Sequence, residues 1–371
     1  MNKISLSHIH IDEQIQSAVQ SVLDSKTFVN GDCVKQFEKE LAKYFNTKYA
    51  VCTSSGTSSI FLSLKALGVS SNDNVLCPSM SFIATATPVM HLNAIPKFVE
   101  INEKNYTINP SEISKKIDNK TKAIIPVHLY GQPADLDSII ETADTHNVPI
   151  LEDACQAHGA KYKNEKIGGK GKVACLSFYP SKNLTVCGDG GCILTNDEDV
   201  YQKVKMLRDH GRTTKYEHDI LGYNFRLGEI GAAIGLSNLT KLDDNNSKRR
   251  KIAKIYNENL SNYCITPLEE EYSFHVFHMY VIRTNYRDKL KEFLAKSEIY
   301  TGIHYPIPIH RQPVIQNMDI PTEQMKISDQ ISDTALSLPM HPYLTDEEVD
   351  YVCQKVKEFV KENPGTKLEL T

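Results

Sequence analysis

The sequence predicts an α/β fold in which a large domain with a mainly parallel sheet precedes a smaller α+β domain. From about residue 48 to residue 196, short runs rich in β-branched and apolar residues alternate with segments of helical spacing. After about residue 240 this alternation ends, and the strand and helix patterns become fewer. We therefore expect residues 1–240 to form the large domain and residues 241–371 the small one.

The large domain is predicted element by element from these runs. Strand patterns cover residues 49–53, 74–77, 95–101, 123–128, 149–152, 174–179 and 192–195. Helical patterns cover residues 58–67, 82–91, 111–117, 136–146 and 197–208. Several strands end in small or polar residues, and open α/β sheets bind ligands at such strand ends.

The remaining patterns predict a long helix and a small domain. A single helix is expected from about residue 227 to residue 260. Beyond it, a strand is predicted over 274–283, a helix over 287–296, a loop rich in Pro and His over 304–313, and a last helix over 345–362. The basic run at 248–251 could reach a diphosphate, but a solvated helix face is the favoured interpretation.

The composition excludes several classes of protein. The chain has 371 residues, of which 40% are hydrophobic and 24% charged, as in folded globular proteins. With 42 basic and 46 acidic side chains its net charge is -4, so no general attraction for nucleic acid or anionic membranes is expected. The chain start lacks an apolar signal-peptide core, and no run of 18 apolar residues occurs. We expect a cytoplasmic protein with no membrane partner.

The cysteines and histidines do not predict a metal site. The nine cysteines are an odd number and lie mostly in apolar runs, which suits reduced, buried thiols. No C-x-x-C pair and no H-E-x-x-H motif occurs. His8 and His10 share one face of an extended segment, for which a solvated terminal strand is the favoured interpretation.

Three segments of the large domain carry residues suited to chemistry. Residues 53–59, TSSGTSS, join a strand to a helix start, where glycine, hydroxyls and free N–H groups suit a phosphate; a helix cap explains them equally well. Asp153 ends an apolar strand and would enter the ligand crevice, or cap the next turn. Lys182 follows another buried strand and would be a desolvated, nucleophilic amine, or an exposed surface lysine.

Taken together, the three segments predict pyridoxal phosphate. An anion site, a strand-end carboxylate and a strand-end amine in one α/β domain are the parts that hold this cofactor: its phosphate, its pyridine nitrogen and its aldehyde carbon. No G-x-x-x-x-G-K-[ST] segment and no G-x-G-x-x-G after a strand occurs, so neither a nucleotide P-loop nor a dinucleotide fold is indicated.

Many ordered segments also resemble one family, the pyridoxal phosphate-dependent nucleotide-sugar aminotransferases of the DegT/DnrJ/EryC1/StrS group. The matching segments are residues 28–31 (FVNG), 55–58 (SGTS), 81–86 (SFIATA), 126–131 (PVHLYG), 152–159 (EDACQAHG), 177–191, 222–226 (GYNFR), 304–306 (HYP), His310 and 338–341 (LPMH). The resemblance implies the aspartate aminotransferase fold, called fold type I, for most of the chain.

The resemblance also implies roles for individual residues. Lys182 becomes the lysine that is joined to the cofactor, and Asp153 the partner of its pyridine nitrogen. Gln156 lies beside the ring oxygen, and Phe82 stacks on the ring, although a plain core role for Phe82 stays open. The cofactor phosphate is assigned to Thr57, Ser58 and Ser177, together with Asn224 of a neighbouring subunit, so a homodimer with shared active sites is expected. Residues on the nucleotide-sugar side are Arg226, Tyr305 and His310.

The implied reaction moves an amino group, expected from L-glutamate, to a keto group of a nucleotide-linked sugar, with pyridoxamine phosphate between the two half-reactions. Such amino sugars serve a cell-surface polysaccharide, a glycan or a secondary metabolite. The segment around Lys182 with Gly-Asp-Gly-Gly at 188–191 favours sugar carbon 3 over carbon 4. Two alternatives remain open: a noncatalytic regulatory or sensory relative, which the intact Asp153, Gln156 and Lys182 disfavour, and a nucleotide-sugar oxidoreductase.

Overall fold

The helices and strands of the protein have the following bounds, and the strands of the large sheet coincide with buried, mostly apolar runs. The computed structural model describes residues 3–318, 320, 323–365 and 368. The strands are β1 (Tyr49–Thr53), β2 (Asn74–Pro78), β3 (Ile95–Val99), β4 (Thr121–Ile124), β5 (Leu151–Asp153), β6 (Lys161–Tyr162), β7 (Glu165–Lys166), β8 (Val173–Ser177), β9 (Gly191–Thr195), β10 (Ser273–Phe274), β11 (Tyr280–Arg283) and β12 (Ala335–Leu338). The helices are α1 (Glu13–Ser25), α2 (Asp32–Phe45), α3 (Gly56–Ala66), α4 (Thr87–His91), α5 (Pro110–Lys116), α6 (Leu136–Thr145), α7 (Glu198–Arg208), α8 (Glu229–Leu239), α9 (Leu242–Leu260), α10 (Arg287–Lys296), α11 (Pro313–Gln316), α12 (Lys326–Thr334) and α13 (Asp346–Glu362). Short 3-10 helices cover Ile83–Thr85, Leu129–Gly131 and Ile309–Arg311.

The sheet topology confirms the predicted α/β class. A parallel three-stranded sheet, β3-β2-β4, continues into the four-stranded sheet β5-β8-β9-β1 through parallel bridges Ile124 to Ile150 and Val127 to Asp153. Strand β9 runs antiparallel to both β8 and β1, whereas β5 and β8 are parallel. The carboxyl ends of β4, β5 and β8 therefore lie on one edge, as the strand-end residues predicted.

Alternate residues of each strand enter different hydrophobic clusters. In β8, Cys175 packs into the cluster beneath α3 and α7, whereas Leu176 packs into the cluster that contains Phe37 and Leu41 of α2. Both faces of this strand are buried, because helices cover the sheet on both sides. Such a strand reads as a continuous apolar run, which is how the sequence predicted it.

Several predicted boundaries are wrong for local reasons. The helix predicted over 227–260 is two helices, α8 and α9, because α8 packs on α1 and α2 while α9 turns away to pack on α13. The strand predicted over 274–283 is also two, β10 and β11, separated by residues 275–279. The helix predicted over 82–91 is interrupted before α4, where Pro88 in the first turn disfavours a continuous helix.

A separate hydrophobic cluster holds the C-terminal part together. It joins α9, α10 and α13 to strands β11 and β12, and it also buries Ile4, whose backbone bridges to Ile299. The N-terminal segment therefore packs against C-terminal elements, and the domain division between residues 240 and 241 stays a prediction. Within the described part of the chain, no helix is both long and apolar enough to cross a membrane.

Candidate active site

A cavity of about 470 Å³ lies at the carboxyl edge of the sheet. One side is formed by the start of α3 and by residues that follow β2, β5 and β8. The opposite side is formed by His278 and Met279, and by His304 and Tyr305. Its volume lies in the range of small-molecule and cofactor sites.

The first turn of α3 provides an anion-binding end to this cavity. Ser55 caps the helix, and its side chain and that of Ser58 form a reciprocal capping box. A Cβ atom on Gly56 would lie 2.7 Å from the Ser177 Cβ and 3.0 Å from the Cys155 Sγ, so only glycine permits this close approach of the helix start to β8. Thr57 is exposed and lines the cavity together with Ser177. Free N–H groups and the positive end of the helix dipole thus face the cavity.

Asp153 presents a buried carboxylate at the end of β5. Its side chain is 5% exposed and lines the cavity. The Thr85 hydroxyl donates to Asp153 Oδ2 over 2.9 Å, and the Cys155 N–H donates to Oδ1 over 3.2 Å. Thr85 in turn contacts the Ser81 hydroxyl at 3.0 Å. Both carboxylate oxygens are therefore oriented by donors of the same chain.

Lys182 presents an amine from the turn after β8. The turn is anchored by buried Phe178, whose N–H donates to Gly190 O over 2.8 Å, and by the Lys182 N–H, which donates to Tyr179 O over 2.8 Å. Lys182 as a residue is half-buried, and it lines the cavity. Burial lowers the pKa of Lys182 from its usual value, because desolvation disfavours the ammonium form, while Cys155 and Asp153 oppose the shift.

Gln156 and Tyr305 connect the two sides of the cavity. The Gln156 Oε1 accepts from the Tyr130 N–H over 2.8 Å, and the Gln156 Nε2 donates to the Tyr305 hydroxyl over 2.9 Å. Phe82 is 53% exposed and lies with its ring centroid 5.9 Å from that of Tyr305. Phe82 is therefore a cavity-lining ring and not a core residue.

Four residues predicted for the site lie elsewhere in this chain. The Ser58 hydroxyl is engaged in the capping box behind Thr57. Asn224 is exposed beside Asp209, and Arg226 forms an ion pair with the Asp209 carboxylate. His310 is buried with its Nε2 3.3 Å from Asp329 Oδ1. Thr57, Phe82, Asp153, Gln156, Ser177, Lys182 and Tyr305 are the predicted residues that the fold brings together.

Sequence reasoning missed several cavity residues. Ser81 and Thr85 follow β2 at a spacing of four residues, a signal that hydroxyls share one side of a helical turn. His278 and His304 belong to segments from the C-terminal part of the chain, and neither follows a strand of the large sheet. Burial lowers the His304 pKa to about 4, so this imidazole is neutral at pH 7.

The residues on this cavity fit pyridoxal phosphate. Gly56 and Thr57 at the start of α3 line the cavity and suit a phosphate, Asp153 is a preoriented partner for a protonated ring nitrogen, and Lys182 is a partly desolvated amine. The fold and this set of donors define the class of pyridoxal phosphate-dependent enzymes. Among the described residues, no three His, Cys, Asp or Glu side chains are grouped to hold a metal ion.

Comparison with known proteins identifies the family within the class of pyridoxal phosphate-dependent enzymes. The model of the DegT/DnrJ/EryC1/StrS aminotransferase family matches residues 9–357. The chain is 39% identical over 365 residues to the pleiotropic regulatory protein of Geobacillus stearothermophilus, covering 97% of this chain and 98% of that protein. It is 37% identical over 350 residues to the dTDP-3-amino-3,4,6-trideoxy-alpha-D-glucose transaminase of Streptomyces venezuelae, covering 94% and 92% respectively. The structure of NtdA from Bacillus subtilis with bound pyridoxamine phosphate superimposes with a TM-score of 0.88 at 33% identity, covering 94% of this chain and 82% of NtdA. The chain belongs to the DegT/DnrJ/EryC1/StrS aminotransferase family.

Proposed function

We propose that this protein transfers an amino group from L-glutamate to a keto group of a nucleotide-linked sugar, at carbon 3 in preference to carbon 4. The observation that carries the proposal is the convergence of Lys182, Asp153 and the start of α3 on one cavity. The Streptomyces relative is named for an amino group at sugar carbon 3, which supports the preference. The product would serve amino-sugar biosynthesis for a cell-surface polysaccharide, a glycan or a secondary metabolite.

Individual residues would divide the work of holding the cofactor. The N–H groups at the start of α3, with the Thr57 and Ser177 hydroxyls, would bind the phosphate, and Ser58 would contribute through its place in the first turn. Asp153 would hold the proton on the pyridine nitrogen through its oriented carboxylate. Phe82 would cover one face of the ring, and Gln156 would stand beside the ring oxygen.

Lys182 would carry the proton transfers. Pyridoxal phosphate, when bound, supplies a ring that withdraws electrons from the substrate carbon that loses a proton. The Lys182 Nζ would take that proton from the α-carbon of glutamate, and it would return a proton to the sugar carbon in the second half-reaction. Its lowered pKa suits this role, because a larger fraction of the amine is neutral near pH 7.

The active site would be completed by a second copy of the chain. Asn224 is exposed outside the cavity of its own chain, and it lies in a loop with exposed Tyr216 and Leu221. In a homodimer, Asn224 of one subunit would reach the cofactor phosphate of the other. Arg226, Tyr305 and His310 would line the nucleotide-sugar side.

The thiols suit a reducing compartment, and we place the protein in the cytoplasm. All nine cysteines are free, and most are buried. The Geobacillus relative is named a regulatory protein. A purely regulatory role would not require a partly desolvated lysine and an oriented carboxylate on one cavity, so we favour catalysis.

The deciding experiment supplies purified protein with L-glutamate and a panel of 3-keto and 4-keto nucleotide sugars. We expect amino-sugar product from a 3-keto substrate, identified by its mass and by the position of its amine. Lys182→Ala should give no product, and Asp153→Asn should keep cofactor absorbance but lose most activity. Product from 4-keto sugars alone would reject the preference for carbon 3, and normal turnover by Lys182→Ala would reject the mechanism.

A further inference from the structure

A chain of side-chain amides behind Lys182 sets the protonation of His278. The backbone carbonyl of His158 can only accept, so Asn246 must present its Nδ2 there, at 2.8 Å. Asn246 Oδ1 therefore faces Asn183, whose Nδ2 donates to it over 2.9 Å. The same Asn183 Nδ2 donates to the carbonyl of Val276 over 3.1 Å. Two backbone carbonyls thus determine the orientation of both amides.

With both amides oriented in this way, Asn183 presents its oxygen, a hydrogen-bond acceptor, to His278. Asn183 Oδ1 lies 3.3 Å from His278 Nδ1, and because a carbonyl oxygen cannot donate, Nδ1 must carry the proton. A neutral imidazole protonated at Nδ1 has a free lone pair on Nε2. The His278 Nε2 is therefore a hydrogen-bond acceptor.

The Nε2 acceptor of His278 is buried and unpaired. The side chain is 5% exposed and lines the same cavity as Lys182. No described residue donates a hydrogen bond to Nε2. A buried acceptor without a donor destabilises the folded state, so a donor supplied to Nε2 is favourable.

Lys182 lines the same cavity and is a source of such a donor. Burial lowers the pKa of His278 well below its usual value, and the charge of Lys182 acts in the same direction, followed by Arg249, His158 and His304. Arg249 is already engaged with the carbonyls of Phe277 and Met340, and burial keeps the pKa values of His158 and His304 low. Of the two cations that act on His278, Lys182 and Arg249, Lys182 is the one that lines the same cavity.

We propose that His278 Nε2 accepts a hydrogen bond from the Lys182 amine in the pyridoxamine phosphate form of the enzyme, and so aims Lys182 at the proton it transfers. His278 is then a positioning residue, and the inference rests on the function proposed for Lys182. Because the imidazole stays neutral, it binds either the amine or the ammonium form of Lys182 and adds no second cation to the cavity.

The first test needs no turnover. Cofactor-free protein labelled with ¹⁵N-histidine is loaded with added pyridoxamine phosphate, and the ring nitrogens of His278 are observed at pH 7 in wild type and in Lys182→Met. We expect the proton on Nδ1, and a shift of the Nε2 resonance when the amine is removed. A proton on Nε2, or an Nε2 resonance that Lys182→Met leaves unchanged, would overturn the inference.

The second test separates the two ring nitrogens by substitution. His278→Asn keeps a donor to Asn183 but loses the acceptor at Nε2, whereas His278→Gln places an oxygen near the Nε2 position. With L-glutamate in single turnovers, His278→Asn should lower the limiting rate about ten- to a hundredfold and raise the isotope effect of α-deuterated glutamate, with unchanged glutamate affinity. His278→Gln should recover most of the rate.

A matched control and a second readout keep the outcomes distinct. His275→Asn changes another buried histidine, which lies outside the cavity, and should keep the wild-type rate and isotope effect. Equal rates for wild type and His278→Asn would reject the role of His278 and leave the proposed function intact. A wild type that does not react with glutamate would reject L-glutamate as the amino donor, and the spectra of the first test would then decide the role of His278. If His278→Asn does not fold, the spectra of wild type and Lys182→Met still decide.

Discussion

The cavity wall and the loop over residues 209–226 differ in whether their side chains find partners within the same chain. On the wall, Asp153, Gln156 and Tyr305 are paired with other side chains or backbone groups of the same chain. In the 209–226 loop, Asn224 is exposed, and Tyr216 and Leu221 are 80% and 82% exposed. One part of the predicted site is thus organised within the chain, whereas the other is presented outward.

The loop is nevertheless specific in shape. Gly211 has a φ of +72°, and a Cβ atom on it would lie 1.7 Å from the carbonyl oxygen of Ile220. Two arms of the loop therefore approach so closely that only glycine fits. Asp209 accepts ion pairs from both Arg212 and Arg226, which ties the base of the loop. A well-defined loop with apolar residues at its surface is suited to contact another copy of the chain.

The largest expected effect falls on the wall. Lys182→Met should reduce transamination by about 10⁴-fold or more, because both proton transfers lose their base. The same change should stabilise the cofactor-free protein at pH 7 by about 1 kcal/mol, because the cost of burying an amine disappears. Enzyme assays and urea unfolding at constant protein concentration measure the two effects.

The pH dependence of that stability gain has a defined sign. The pKa of Lys182 is lower in the folded state than its ordinary value of 10.5, so the unfolded chain binds more protons between the two values. Wild-type stability therefore rises with pH through this window, and the advantage of Lys182→Met should shrink toward pH 10.5. Lys203→Met, at an exposed position, is the control and should show no such trend. A gain independent of pH would contradict the desolvated amine.

The next effect tests whether this loop contributes Asn224 to the active site of another subunit. Asn224→Ala should lower activity about a hundredfold, because the phosphate of the cofactor bound in the other subunit loses a contact. Mixing refolded Asn224→Ala with Lys182→Ala should restore up to about a quarter of wild-type activity, since half of the dimers would be mixed and each would hold one intact site. Mixtures that stay as inactive as the separate variants would place Asn224 outside a shared site.

The smallest effect concerns the support of Asp153. Thr85→Val removes the hydroxyl that donates to Oδ2 and should lower activity about tenfold, the cost of one hydrogen bond to a charged group. The cofactor should still bind. Thr87→Val, outside the cavity, serves as the matched control. Equal activity of the two variants would show that the Cys155 N–H is sufficient to orient the carboxylate.

The strands of the large sheet were predictable because each is a short run of mostly apolar, buried residues. Strand β1 has the predicted bounds, since four of its five residues are buried and alternate ones pack on opposite faces of the sheet. The continuous helix over 227–260 was wrong, because the helical pattern carries no information about a change of packing partner. His310 illustrates the same limit: its residue type suits binding, but Asp329 of α12 lies beside its ring. The Ser58 hydroxyl is engaged by Ser55, three residues earlier, in the helix cap that the sequence had also offered.

By itself the sequence determined the α/β class, the cofactor and the residues that end the strands, because local periodicity and residue chemistry are written along the chain. Only the tertiary structure decided that His278 and Tyr305 face Lys182 and Gln156 across the cavity, and that Asn224 and Arg226 do not. These pairs are separated by many residues, so their proximity depends on how the sheet and the C-terminal cluster pack. The protonation of His278 follows from that packing as well, since two distant backbone carbonyls orient the amides beside it.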